Sequence, residues 1–325
     1  MANYKLLIYQ DTDLYKDITE LTQKVVWGGR DGSPSRTLDV TLIDSEQFAR
    51  ANIDVVNGWY CRFYWNGDEL FRGIITKTNP SSKGTMTFKA YDYGFYLSRN
   101  KDAFHYKKKT ATAIFKDICK KFGLRVGSVA KCKKSISEIS KNATAWDIIQ
   151  TALQEEYKKT GVRHAVVFDK GKANLIVRRE NIVKWLLETD TNIISWNYSR
   201  SIEKVTTRMK LYSSESKTLA TAKDAKLEKK IGIFQDINKP DDSVKKKSKL
   251  NSLAKSLLKE AKNPEVILNI TAKGIISMRT GRGAFVVIPA QNIKQSFYIV
   301  QDTHTFQGEK YTMTLKLEKT TDLKY

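Results

Sequence analysis

Apolar and polar residues alternate along most of the chain in short runs separated by turn residues. YKLLIY (4–9) reads as an opening strand, and RTLDVTLI (36–43) turns Leu38, Val40 and Leu42 to one face. WYCRFYW (59–65) does the same with Trp59, Cys61, Phe63 and Trp65. Asn66-Gly67 follows, a strong hairpin signal because both residues tolerate positive φ. LFRGIITKT (70–78) returns, NPSSKG turns, and TMTFKAYD (85–92) comes next. Short strands punctuated in this way predict an antiparallel barrel or sandwich.

The period changes after HYKKKTATA. Ile114, Ile118, Cys119 and Phe122 follow helical spacing up to Gly123, a C-terminal stop. A second helix is expected from an N-cap at Asn142, with Trp146, Ile149, Leu153 and Tyr157 on one stripe and an end before Gly161. AVVF and NLIVRR form a hairpin across DKGK. Strand patterning resumes with IISWNYSRSIEKVTTRMKLY (193–212) and gives way near residue 215 to a Lys- and Ala-rich region. Within that region LNSLAKSLLKEAK (250–262) reads as a helix that stops before Pro264. EVILNITAKG, AFVVIPA, SFYIVQDTHTF and YTMTLKLE return to strand grammar.

Two of these strands are alike. TMTFKA (85–90) and TMTLKL (312–317) alternate in the same phase, each closing a sequence of β-run, polar loop, strand and turn. From Phe71 to Thr85 is 14 positions, and from Phe297 to Thr312 is 15. Shared order, spacing and phase point to one unit built twice. The expected fold is mainly β with α+β elements: two related antiparallel β-barrels, a small α+β domain between them and a Lys-rich, partly helical insertion. The expected boundaries are 1–104, 105–188, 189–214 with 263–325, and 215–262 for the insertion. A chain of 325 residues is also longer than one core usually serves.

Composition changes this picture little. The formal net charge is +22, with Lys and Arg contributing 57 residues against 35 acidic ones. The basic residues are mostly lysines spread along the chain. That distribution reads as a solvated surface rather than as an Arg-rich phosphate groove. Cys61, Cys119 and Cys132 have no metal-type spacing and read as buried thiols. MANYKLLIYQDTD has too short an apolar run for a signal peptide, and no window is apolar enough to span a membrane, so residence in the cytoplasm is expected.

Candidate chemistry is sparse. His105, His164 and His304 lie in no ligand cluster, and His304, flanked by Asp302 in DTHTF, reads as a polar residue near a strand end. The carboxylate pairs Asp11/Asp13, Glu155/Glu156 and Asp241/Asp242 do not select a glycosidase arrangement. GGRDGS (28–33) and GRG (281–283) lack the grammar of phosphate loops and read as turns. The Lys triplets at 107–109 and 245–247 read as solvated charge at domain boundaries, and Trp59, Phe63 and Trp65 as core. No catalytic, cofactor or metal residue is expected, and the chain reads as an assembly component rather than an enzyme.

GWYCRFYWNGDELFRGIITKT…GTMTFKAYDYGFYLSRNK resembles the N-terminal block of the XkdQ-like tail proteins of PBSX-type prophages and phage-tail bacteriocins. TATAIFKDICKKFGL, NATAWDIIQTAL and the closing YIVQDTHTF…YTMTLKLE resemble that family in the same order, so the likeness covers nearly the whole chain. The resemblance implies a baseplate hub of a contractile tail, with two tube-like barrels per chain and assembly as a homotrimer. It implies as partners a tail tube protein, a central spike protein, other baseplate proteins and a tape-measure protein, with nucleic acid only as cargo in the lumen. The final location would be the baseplate of a phage or bacteriocin particle. The competing readings are a cell-wall-directed hydrolase or anionic-polymer-binding module of the tail tip and, separately, a nucleic-acid-binding barrel protein that uses the positive charge on phosphates.

Overall fold

The structure is a computed structural model that describes residues 4–10, 15–43, 54–136, 138–178, 182–213, 215–240, 244 and 246–319. Its first part holds β1 (Tyr4–Tyr9), β2 (Tyr15–Asp17), β3 (Thr22–Arg30), β4 (Thr37–Ile43), β5 (Tyr60–Trp65), β6 (Asp68–Ser81) and β7 (Thr85–Asp92). Then come α1 (Gly94–Arg99), β8 (Lys101–Lys107), α2 (Ala111–Lys121), β9 (Val126–Val129), β10 (Glu138–Thr144), α3 (Ala145–Thr160), β11 (His164–Asp169) and β12 (Lys172–Val177). The last part runs through β13 (Ile182–Glu188), β14 (Ile193–Ser201), β15 (Arg208–Tyr212), β16 (Thr218–Lys223), α4 (Ala225–Ile231), β17 (Gln235–Asn238) and α5 (Lys247–Ala261). It ends with β18 (Glu265–Lys273), β19 (Gly283–Ile288), β20 (Ile293–Gln307) and β21 (Lys310–Glu318).

Alternation decides which side chains enter the core. Leu38, Val40 and Leu42 of β4 are buried, as are Phe88 and Ala90 of β7 and Met313, Leu315 and Leu317 of β21. The β5–β6 turn has Asn66 at φ 48 and Gly67 at φ 83, the two positive values a type I′ hairpin requires. In the α+β part, the Thr110 hydroxyl caps α2 by accepting from Ala113 N–H, and Gly161 ends α3 at φ 69. The cap of α3 is Thr144, whose hydroxyl accepts from Asp147 N–H, not Asn142. Asn142 is occupied in β10, opposite Ala103 of β8. Strand pairing therefore overrides the cap preference at that position.

By packing the chain forms two compact units, one of residues 1–196 with 269–325 and one of residues 197–268. In the smaller unit, Leu250, Ala254 and Leu258 of α5 recur at helical spacing and bury against Met209, Leu211, Ala220 and Ala222. Strand β15 pairs with β16 and β17 there, so the Lys-rich region is part of a folded body with its own core.

The repeat lies mostly in the larger unit; residues 197–201 of β14 and 265–268 of β18 fall in the smaller one. A 13-stranded sheet runs β14-β18-β21-β20-β3-β4-β7-β6-β5-β1-β2, with β13 and β19 branching from β20. Read in halves, it contains the succession β3-β4-β7-β6-β5-β1 and the succession β14-β18-β21-β20-β19-β13, whose members follow the same chain order. The register agrees residue by residue. Ser81, Asn79 and Lys77 face Thr85, Thr87 and Lys89, while Thr305, Thr303 and Gln301 face Thr312, Thr314 and Lys316. A β-bulge interrupts both ladders at the same place, between Ile75 and Lys77 and between Ile299 and Gln301. A bulge is an inherited local feature rather than a consequence of β composition. The halves differ in one pairing: β1 joins β5 antiparallel, whereas β13 joins β19 parallel.

Two expectations need correction. Phe71 and Phe297 are not equivalent, because Phe297 faces Ala284 where Gly73 faces Cys61. The arms of the β20–β21 hairpin are longer by the pairs Phe306–Tyr311 and Gln307–Lys310, which displaced the count. The two halves also do not form separate barrels, and no closed barrel occurs among the described residues. Instead β20 pairs with β3 and fuses both halves into one sheet.

Candidate functional site

The join between the halves is the most polar place in the core. Beyond its bulge, β20 runs antiparallel to β3 from Gln301–Arg30 to Phe306–Val25. Asp302 and His304 point inward and are buried at 1% and 0% exposure. Arg36, just before β4, grips both oxygens of the Asp302 carboxylate, with Nη1–Oδ1 at 3.0 Å. The Thr280 N–H and hydroxyl both donate to Asp302 Oδ1 at 2.6 Å. The guanidinium of Arg36 lies 4.1 Å from the Trp27 ring centroid. Gly28 and Gly29 serve this geometry: a Cβ at Gly28 would stand 2.9 Å from the Asp302 carbonyl, and one at Gly29 would collide with the Arg36 guanidinium. Both glycines lie in β3, and only Asp31 and Gly32 of GGRDGS form a turn.

His304 is held on both nitrogens. Nε2 lies 3.1 Å from the Met278 carbonyl and Nδ1 2.8 Å from the Tyr311 hydroxyl. A carbonyl only accepts, so Nε2 carries the proton and Nδ1 accepts from Tyr311. Burial pushes the His304 pKa down, opposed by its contact with Asp302. Burial alone would raise the Asp302 carboxyl, but Arg36 and His304 outweigh it and hold the group well below the usual carboxylate range. A neutral, doubly bonded imidazole sealed from solvent meets no substrate. The cluster is a structural lock between β3, β4 and β20.

A cleft of about 170 Å³ opens beside this join, between the Gly29–Arg36 segment and α3 with β11. Arg178 spans it, donating to Asp31 at 2.6 Å and to the Tyr298 hydroxyl at 2.7 Å. Asp92 at its floor accepts from Arg36 N–H at 3.0 Å and Gly94 N–H at 2.9 Å. Burial pushes the Asp92 carboxyl up to about 7 despite those bonds and the Arg36 charge. The two aspartates therefore oppose each other in pH. Asp302 stabilises the fold above its ordinary value of 3.8, and that contribution is lost as pH falls below it. Asp92 favours the fold when protonated, and that contribution fades as pH rises from about 4 towards 7. Urea titrations at successive pH values should therefore show a shallower decline from pH 4 to 7 in Asp92→Asn than in the wild type. An unchanged slope would refute the assignment.

The other candidates separate. Glu155 pairs with Lys158 at 3.0 Å, whereas Glu156 is buried and accepts from the N–H groups of Lys133 and Lys134, each at 3.1 Å. That carboxylate secures a loop. Asp11/Asp13 and Asp241/Asp242 lie outside the described residues. His105 is exposed, 3.8 Å from Glu138, and His164 borders the cleft. Cys61, Cys119 and Cys132 are buried and unpaired in disulfides, and Phe63 is core. Among the described residues no group of three His, Cys, Asp or Glu side chains is placed to hold a metal, and no helix is long and apolar enough to cross a membrane. The Arg36–Asp302 pair itself escaped sequence reasoning, since its members stand 266 positions apart.

Residues 25–318 match the family described as YqbQ-like. The phage-like element PBSX protein XkdQ of Bacillus subtilis (strain 168) is 31% identical over 323 residues, 98% of each chain. Among solved structures, the 43 kDa tail protein of prophage MuSo2 from Shewanella oneidensis aligns with a TM-score of 0.73 at 13% identity, over 96% of this chain and 97% of that one. The E. coli c3393 protein is a type VI secretion component described as structurally similar to the phage T4 tail proteins gp27 and gp5. It aligns with a TM-score of 0.57 at 12% identity, over 99% of this chain and 78% of that one. The structural likenesses establish a shared fold. The family match over most of the chain and the end-to-end identity establish kinship: the chain belongs to the YqbQ-like family.

Proposed function

We propose that this protein is a structural baseplate hub of a contractile phage tail or phage-tail-like bacteriocin, joining a sixfold tail tube to a threefold central spike as a trimeric ring. The observation that carries this reading is the internal repeat, with its common strand succession, register and bulge. Three copies of a chain that contains two alike units present six alike units to a tube, while the unrepeated α+β part keeps threefold symmetry for a spike. Each half, the strands β1 and β3–β7 in one and β13, β14 and β18–β21 in the other, acts as a tube-like domain whose barrel is completed by neighbours. The names of the relatives, a PBSX element protein and a prophage tail protein, support the setting. No reaction is assigned. The polar cluster is sealed, and the cleft's buried carboxylate is bound to two backbone N–H groups.

Co-expression with the tube and spike proteins encoded beside it tests the proposal. The expected result is a species of three copies in native mass spectrometry that retains both partners. A chain that stays monomeric and captures neither overturns the reading.

A further inference from the structure

Among the described residues, the counterparts of the joined strands β20 and β3 each have an uncovered edge. Up to the bulge, β6 and β20 are covered alike. Gly58 N–H donates to the Ile75 carbonyl at 2.8 Å and Ile75 N–H to the Trp59 carbonyl at 2.7 Å. Gly281 N–H donates to the Ile299 carbonyl at 3.2 Å and Ile299 N–H to the Arg282 carbonyl at 2.9 Å. Past the bulge they part. Val300 accepts from Asp31 N–H at 2.8 Å, and β3 covers β20 from Gln301 to Phe306. The equivalent stretch of β6, Thr76–Ser81, is paired with β7 on one side, but β5 stops opposite Ile74 on the other. Among the described residues no strand covers it there. The counterpart of β3 is β14, which ends the sheet with β18 as its neighbour in the strand order. Both β3 and β14 run nine residues and begin straight after a three-residue turn, at 19–21 and 190–192.

We propose that β14 of one copy pairs antiparallel with Thr76–Ser81 of β6 in a second copy, repeating between chains the contact that β3 and β20 make within one. The inference rests on the hub reading and adds which edges meet. The occupant is set by the chain's own precedent: the second-half edge β20 accepts the first-half strand β3, so the first-half edge β6 is shaped for the second-half strand β14. Such a contact joins unlike surfaces, and it closes into a ring when its rotation divides a full turn. Sequence at the two edges fits a joint that must also exist unmade. Lys77 and Pro80 are residues that keep an exposed edge from indiscriminate pairing, and Pro80, standing where β20 has His304, has no N–H and shortens the ladder. On β14, Ile194 is 59% exposed, apolar area that a neighbour would cover.

The internal register specifies the test. Thr303 faces Gly28 within the chain, which places Asn79 of one copy opposite Ser199 of the next. Both positions are exposed, and cross-strand neighbours at about 4.5–5.5 Å between Cα atoms suit a disulfide. The three native thiols stay silent, because burial pushes their pKa values up, Cys119 to about 12. The full-length Asn79→Cys/Ser199→Cys variant, oxidised at the concentration where the chain assembles, should run as covalent dimers and trimers without reductant. Each single variant, and the out-of-register Asn79→Cys/Ser195→Cys control, should remain uncrosslinked. A trimer in native mass spectrometry without the 79–199 crosslink overturns this pairing and leaves the hub reading standing. A chain that is monomeric at every concentration and uncrosslinked overturns both.

Discussion

Replacing Arg36 with Met is expected to destabilise the larger unit by about 3–5 kcal/mol, the range for removing one partner of a buried ion pair. The Met side chain keeps much of the cover over Trp27, so the loss reports on charge. It strands the Asp302 carboxylate, which Arg36 otherwise meets through two hydrogen bonds in a place with 1% exposure. A second substitution, Asp302→Leu, should restore part of the stability, since the unpaired charge is then gone. Recovery stays incomplete because Thr280 N–H loses its acceptor, at a cost of about 1–3 kcal/mol. Urea unfolding of wild type, Arg36→Met and the double variant measures all three. A single variant within about 1 kcal/mol of wild type would mean that water already solvates Asp302, contrary to the sealed geometry.

Phe306→Ala should cost a similar amount, about 3–5 kcal/mol for a fully buried Phe. Phe306 belongs to β20, yet its ring lies in the core of the first half. It stacks on Tyr311 at 4.3 Å, meets Phe63 edge-on at 5.0 Å and touches Trp65 at 4.8 Å. The truncation therefore loosens strands of both halves together. Hydrogen exchange should accelerate in β5 and β6 as well as in β20 and β21. Protection lost in one half alone would show that the halves fold independently, despite sharing a sheet.

Local features of this fold were legible in the sequence because they depend on neighbours in the chain. The alternation in β4, β5, β7 and β21, the Asn66-Gly67 turn and the stripe on α3 are of this kind. The repeat was legible through the phase of TMTFKA and TMTLKL, but its register was not. Counting along the chain cannot tell a longer hairpin arm from a shifted strand, so Phe71 looks equivalent to Phe297 although the register assigns that place to Gly73. Asn142 misled for a related reason, since its side chain suits a cap while its backbone is committed to a ladder with Ala103. In the sequence Asp302 stands beside His304, and the distance of Arg36 along the chain hides the pairing that holds it. The small unit is concealed in the sequence because its core strand β15 continues the preceding strand pattern without a break in composition.

The pairing of β20 with β3 also has a bearing on dilution. Both strands lie on one polypeptide, so their effective local concentration is fixed by the chain that links them and does not fall when the protein is diluted. A buried ion pair that needs near-perfect placement survives at such a tethered joint, since its members cannot drift apart into solution. At the equivalent positions of β6 the chain has Thr78 for Asp302 and Pro80 for His304, neither of which carries a charge that would be stranded when no strand lies alongside. The two halves thus differ at equivalent positions: one edge carries a buried charge beneath a tethered partner, and the other carries nothing that solitude would strand.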